Sequence, residues 1–279
     1  MKVLLTGARG LLGHAMQRAC PENWELVALG HSDLDILEPA AIQMAITAHQ
    51  PTAVVNCAAY TAVDLAETEV DRALAANATG PAHLARATAA AGVPLVQIST
   101  DFVFDGAKTG AYLESDPVAP LSVYGLTKAI GERAVREHQP DHLIVRTAWL
   151  YGDTPPGFPH LLLQLAKRHG KLRVVTDQQG SPTYAPHLAA GVFHALKAKV
   201  RGTLHLAGGG SASRYEWALA LMNALNRSTP VIRALSSNFP TAATRPPNST
   251  LSSEHPSGLA LAPWVDGLHE FVGSLENPT

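Results

Sequence analysis

The run Lys2-Val3-Leu4-Leu5-Thr6-Gly7-Ala8-Arg9-Gly10-Leu11-Leu12-Gly13 decides how this chain folds. Lys2 to Leu5 is a short apolar stretch that ends at Thr6-Gly7, as a strand buried in a parallel sheet does. Leu11 to Arg18 continues as a helical pattern. Strand, glycine turn and helix in direct succession are what a dinucleotide fold requires. Gly7 permits the tight turn, Gly10 lets a pyrophosphate approach the backbone, and Gly13 allows the helix to pack on the strand. The helix start offers free N–H groups and a partial positive charge. The spacing is G-x-x-G-x-x-G rather than G-x-G-x-x-G, so its position after the first strand carries the reading.

Working outward, Glu25 to Leu29 is predicted as the second strand, ending in Gly30-His31-Ser32-Asp33. An acidic residue at that tip would bond the ribose 2′-hydroxyl of NAD. Here the tip carries His31, with Arg9 nearby in the glycine turn and no carboxylate, which would tolerate a 2′-phosphate. NADPH is therefore expected, with NADH possible. The competing reading leaves Arg9 and His31 merely solvated. A helix over Pro39 to Ala48, a strand over Thr52 to Ala59, and a long helical pattern over Asp64 to Ala78 follow. Next come a helix over Pro81 to Ala91 and a strand over Val93 to Ser99. Strands alternating with helices imply right-handed βαβ units. The fold class is α/β, a Rossmann-type doubly wound parallel sheet with a smaller C-terminal substrate-binding lobe. Residues 1–150 are expected to form the NAD(P)-binding domain, with some later segments returning to it, and 151–279 mainly the lobe.

Chemistry concentrates in two places. Ser99-Thr100-Asp101 sits at the carboxyl end of a predicted strand, where open α/β sheets collect their functional groups. A hydroxyl there can donate to a carbonyl oxygen as charge develops on it. Val123-Tyr124-Gly125-Leu126-Thr127-Lys128 opens a helix and places a phenol and an ammonium four residues apart, on one face. The cation is expected to lower the phenol's pKa from about 10. Alone, Tyr-x-x-x-Lys is common; beside a glycine turn and a strand-end hydroxyl it points to proton transfer.

Composition narrows the classes. The formal charge is −2, with acids and bases mixed, so nucleic acid and anionic membrane are not expected partners. No apolar run is long enough to span a bilayer. The N-terminus begins like a signal peptide but breaks into glycines without a cleavage site, so a cytoplasmic chain is expected. Cys20 and Cys57 are expected to be small buried residues in a reducing compartment. The 13 histidines show no metal-ligand spacing.

In order along the chain, several stretches now resemble the extended short-chain dehydrogenase/reductase family, and within it the reductases of dTDP-linked 4-dehydro-6-deoxy sugars. They are Gly7-x-x-Gly10-x-x-Gly13, Leu34-Asp35-Ile36, Asn56 to Asp64, Ser99 to Gly106 and Tyr124-Gly125-x-Thr127-Lys128. Arg146 to Gly152, Asp177 to Thr183 and Arg245-Pro246-x-Asn248-Ser249 complete the set. The resemblance implies that Tyr124 is the general acid, that Lys128 tunes it and binds the nicotinamide ribose, and that Thr100 holds the reacting carbonyl. It implies cofactor contacts from Gly7, Arg9, Gly10, Leu11, Leu12, Gly13, His31, Asp35, Ile36, Ala58, Ala59, Tyr60 and Asn77, besides Tyr124 and Lys128. Substrate contacts fall to Thr100, Asp101, Phe102, Trp149 and Arg245. The expected reaction is NADPH-dependent reduction of dTDP-4-dehydrorhamnose to dTDP-L-rhamnose by a monomer or weak homodimer. Phe102 stands where the family often has Tyr, and Leu65 where it often has Lys. His14 and Ala15 replace the carboxylates through which some members share a metal, so no metal is expected. Rivals are a nucleotide-sugar dehydratase or epimerase, and a non-catalytic regulator like the subunit of methionine adenosyltransferase. Phe102 after Asp101 lacks the second acid a dehydratase needs.

In the second half, Asp153-Thr154-Pro155-Pro156-Gly157-Phe158-Pro159 is predicted as a stiff loop over the substrate, before a helix from His160 to Arg168. Gly208-Gly209-Gly210-Ser211 lacks the Lys-Ser/Thr of a phosphate loop, and Ser213-Arg214-Tyr215-Glu216 reads as a capping box. Arg245 either binds a diphosphate or forms a salt bridge.

Overall fold

The computed structural model describes residues 1–154 and 157–276; Pro155 and Pro156 of the predicted loop lie outside the described residues. The first half runs β1 (Lys2–Thr6), α1 (Leu11–Arg18), β2 (Glu25–Leu29), α2 (Pro39–His49) and β3 (Ala53–Asn56). It continues with α3 (Val63–Ala66), α4 (Val70–Leu74), α5 (Gly80–Ala90), β4 (Leu95–Thr100), α6 (Val123–His138) and β5 (His142–Thr147). Then follow β6 (Leu150–Tyr151), α7 (Phe158–His169), β7 (Leu172–Val175), β8 (Gln179–Gly180), β9 (Thr183–Tyr184) and α8 (Ala185–Lys197). The chain ends with β10 (Gly202–His205), β11 (Ala212–Ser213), α9 (Arg214–Ala224), β12 (Val231–Ala234) and α10 (Trp264–Glu276).

Six parallel strands form the main sheet in the order β10-β5-β4-β3-β1-β2. Period-2 alternation splits their side chains between two cores. Val3, Leu5, Val55 and Val145 face α1 and α8. Leu4, Val54, Leu95 and Ile144 face α2, α5 and α6. Strand order reverses between β1 and β3, so the crevice at their carboxyl ends is the topological switch point. A smaller core joins α7, α9 and α10 to the parallel pair β7–β12 around Tyr151, Trp217 and Phe271.

The long helix predicted over Asp64 to Ala78 is not continuous. It is α3, α4 and a π turn over Ala75–Thr79 that leads into α5. Side chains account for the break. Glu67 accepts from the Val123 N–H at 2.9 Å, and Glu69 accepts from the Tyr60 hydroxyl at 2.6 Å. Both bonds fall at the break, Glu67 ending α3 and Glu69 preceding α4. α6 is capped by Ser122, whose hydroxyl accepts from Gly125 N–H at 3.2 Å. Gly125 is obligatory there, because a Cβ would stand 2.1 Å from the Phe102 carbonyl oxygen.

Candidate active site

The glycine turn is built as its spacing requires. Gly7 adopts φ +70°, and a Cβ on it would sit 2.5 Å from the Ala58 nitrogen. A Cβ on Gly13 would meet the Gly7 carbonyl oxygen at 2.3 Å. The first turn of α1 carries no side-chain cap, which leaves its N–H groups for a ligand. These features fit the diphosphate of a dinucleotide.

From that turn a cavity of about 570 Å³ extends across the strand ends. Gly10, Leu11, Leu12 and Ala59 line one end; Thr100, Asp101, Phe102, Tyr124, Lys128, Trp149 and Arg245 line the other. Gly7, Gly13 and Ala58 shape the turn beneath. The other cofactor candidates stand apart from this lining. Asp35 accepts from Leu37 N–H at 2.9 Å, and Ile36 packs against Gly80. Asn77 bonds both the N–H and the carbonyl of Tyr60, and so shapes the loop after β3. The predicted absence of a carboxylate at the β2 tip needs correction. Asp33 folds back, accepts from Gly30 N–H at 2.8 Å and lies 3.7 Å from Arg9. His31 lies 3.9 Å from Asp35. Arg9 and His31 remain largely exposed at the tip.

Lys128 is buried, and its ammonium donates to the Ile98 carbonyl at 2.6 Å. Burial pushes its pKa down to about 8, against the opposing charge of Glu132. Tyr124 departs from expectation. Burial pushes its phenol up to about 12; the Thr100 hydroxyl pulls it down and the Asp101 charge raises it. The Lys128 ammonium, bonded to Ile98 O, is not among the groups that offset this burial. A phenol so placed is protonated throughout the neutral range, the form an acid needs. Thr100 donates to Asp101 Oδ1 at 3.0 Å. Ser99 is committed elsewhere, donating to Glu132 at 2.6 Å. Phe102 meets the Tyr124 ring edge-on, centroids 5.6 Å apart. Cys57 also lines the cavity, and burial drives its thiol up to about 12.

The lobe side holds one expected arginine and one that sequence reading missed. Arg245 makes a two-pronged ion pair with Asp64, at 2.7 and 2.6 Å. Arg214 instead stacks on Trp149, its guanidinium carbon 3.5 Å from the ring centroid, and on Phe158 at 4.8 Å. Among the described residues no carboxylate pairs with it. Burial lowers its pKa to about 10, opposed by the Asp101 charge. Both arginines also line a second cavity of about 880 Å³, bounded by Leu161, Arg173, Val175, Ser236 and Phe239. The signal for Arg214 was its place in Ser213-Arg214-Tyr215-Glu216, whose capping box is present. That cap aims the first residue of α9 at the junction of the two cavities. Trp149 holds φ +45°, and its ring lies where a Cβ on Gly180 would be, 2.4 Å away.

The family model described as the RmlD substrate binding domain matches residues 1–277. A dTDP-4-dehydrorhamnose reductase of Mycobacterium tuberculosis is 41% identical over 100% of this chain and 94% of its own length. A probable dTDP-4,6-dihydroxy-2-methyloxan-3-one 4-ketoreductase of Streptomyces antibioticus is 40% identical, over 97% of this chain and 94% of its own. The crystal structure of a Bacillus anthracis dTDP-4-dehydrorhamnose reductase in complex with NADP superposes with a TM-score of 0.93 at 35% identity, covering 97% of this chain and 98% of that one.

Proposed function

The chain belongs to the RmlD substrate binding domain family, and from that footing we propose that it reduces the C4 ketone of dTDP-4-dehydrorhamnose with NADPH, giving dTDP-L-rhamnose. The observation that carries this is the convergence of Thr100, Tyr124, Lys128 and the first glycine turn on one cavity.

Gly7, Gly10 and the start of α1 hold the diphosphate of NADPH, with Leu11, Leu12 and Ala59 along it. Arg9 faces the 2′-phosphate. NADPH, when bound, supplies the hydride that adds to C4. As negative charge builds on the ketone oxygen, the Thr100 hydroxyl turns from Asp101 to donate to it. Tyr124, protonated because its burial disfavours phenolate, gives the oxygen its proton. Lys128 keeps a positive charge beside the ribose and the phenol. Trp149 and Phe102 form the apolar walls that seat the hexose. The diphosphate of the substrate lies at Arg214, with Arg245 held beside it by Asp64, and its nucleoside lies in the second cavity. Residues 1–150 carry the cofactor side, with α8 and β10 returning to it, and 151–279 carry most of the substrate side. The chain works as a monomer or weak homodimer in the cytoplasm; among the described residues no helix is long and apolar enough to cross a membrane.

The Streptomyces relative's name specifies another dTDP-linked ketone, so a second 4-keto sugar is the alternative within the same chemistry. NADPH consumption with each of the two sugars decides between them. Tyr124→Phe should lower kcat by roughly 10²–10⁴-fold and leave NADPH affinity nearly unchanged. A variant with normal kcat would remove Tyr124 from the mechanism.

A further inference from the structure

Main-chain pairing between β3 and β4 stops just short of the carbonyl on which Lys128 rests. Val54 N–H donates to Pro94 O at 3.0 Å, so the even-numbered residues of β4 face β3. Pairing runs from Val54↔Leu95 to Asn56↔Gln97 and goes no further. Two rungs beyond Pro94, a continued ladder would join Ala58 N–H to Ile98 O. Instead β3 turns away into Cys57-Ala58-Ala59, at the cavity wall.

Side chains fill both abandoned groups. Asn56 Oδ1 accepts from Ala58 N–H at 3.1 Å, and Gln97 Nε2 donates to Ile98 O at 2.9 Å. Asn56 Nδ2 donates to Gln97 Oε1 at 2.8 Å and closes the gap. Thr6 Oγ donates to Asn56 Oδ1 at 2.6 Å, tying in β1. A carbonyl oxygen has two lone pairs, and Ile98 O spends them on Gln97 and on Lys128. Thr6, Asn56 and Gln97 are each no more than 2% exposed.

We propose that Asn56 and Gln97 are positioning residues for the reduction: their amide pair replaces the missing rung, holds the crevice open between β3 and β4, and fixes the carbonyl that seats Lys128. The two amides run head to tail, so each bond polarises the next. Neither side chain lines the cavity. Their influence on turnover therefore passes through Lys128 at the Gln97 end and through the cofactor turn at the Asn56 end. The inference rests on the reductase reading above.

The test is kinetic. Gln97→Met keeps the volume and removes the amide. It should lower kcat by roughly 10- to 100-fold, the scale of a small misplacement of a reacting group, while the NADPH dissociation constant, read by fluorescence, stays within about twofold of the parent. Turnover within about threefold of the parent overturns the proposal, as does a loss that falls wholly on NADPH affinity. If Gln97→Met does not fold, Gln97→Glu decides. Its protonated carboxyl can still donate to Ile98 O, so activity should persist at low pH and fall as the carboxyl ionises. A profile superimposable on the parent's overturns the proposal. A parent enzyme that consumes no NADPH with either sugar fails the reductase reading itself, before any variant is measured.

Discussion

Beneath the catalytic cavity the buried carboxylate of Glu132 is bonded on both oxygens; at the cavity wall the buried carboxylate of Asp101 has one oxygen bare. Glu132 accepts from Ser99, from Arg146 through two nitrogens, and from Arg136, at 2.6 to 2.9 Å. Burial pushes its carboxyl up, but Arg146, Ser99 and Arg136 together outweigh this and hold it below the usual range. At the cavity wall, one residue past β4, Asp101 Oδ2 has no hydrogen-bond partner among the described residues, and neither has the Thr147 hydroxyl at the end of β5. Burial raises that carboxyl to about 6, against the Ser249 and Thr100 hydroxyls and the Arg214 charge. Arg214, half-buried and stacked on Trp149, is the cation whose charge favours the ionised form of Asp101. A satisfied network is rigid and suits groups that must not move during proton transfer. Unpaired buried groups are costly alone and suit a surface completed by its ligand.

Removing one partner on each side should expose the difference. Glu132→Ala strands Arg146, which is 2% exposed, and should cost about 3–5 kcal/mol in denaturant unfolding. A loss below about 1 kcal/mol would mean that water or another group already relieves that cation. Arg214→Ala should leave stability nearly intact and raise KM for the nucleotide sugar by ~100-fold, with NADPH affinity unchanged. If the fold suffers instead, Arg214 is structural and the contrast between the walls fails.

The pH profile sharpens the comparison. Lys128 loses its proton near 8 in the free protein, so kcat/KM for NADPH should fall through about pH 8 by roughly tenfold per unit. Stability should move the opposite way. Between about 8 and the ordinary lysine value of 10.5 the unfolded chain keeps a proton that the folded chain has lost, so folding gains as pH rises. The smallest effect is expected at the rim. Arg9→Ala should reduce the preference for NADPH over NADH only a few-fold, because Arg9 is exposed and its charge is screened. Equal rates with both cofactors in the parent chain would remove Arg9 from that role.

The fold was legible because local pattern carries it. Thr6-Gly7 and the glycine spacing define the first βα unit, and apolar alternation separates Val3 and Leu5 from Leu4. The sheet-side chemistry was legible for the same reason, since Tyr124 and Lys128 are neighbours on one helix. Glu132, one turn beyond Lys128, could have been found by extending that spacing. The amide pair could not, because Asn56 and Gln97 meet only through strand register. The phenol's pKa was misjudged because sequence shows a neighbouring cation but not how dry the site is. Arg245 and Arg214 exchanged emphasis for a related reason. A carboxylate 181 positions away in sequence, Asp64, claims the first, and only the tertiary structure leaves the second open.

The return of α8 and β10 to the main sheet has a practical consequence. α8 packs directly on α1, and β10 forms the outer edge beside β5. Residues 1–150 expressed alone would bare the part of that sheet face that α8 covers and leave α1 without its neighbour. The chain is laced rather than modular, so exchanging sugar specificity between relatives by swapping C-terminal halves would unpick the nucleotide fold as well. Such grafts would succeed only as loop exchanges around Trp149, Arg214 and Arg245.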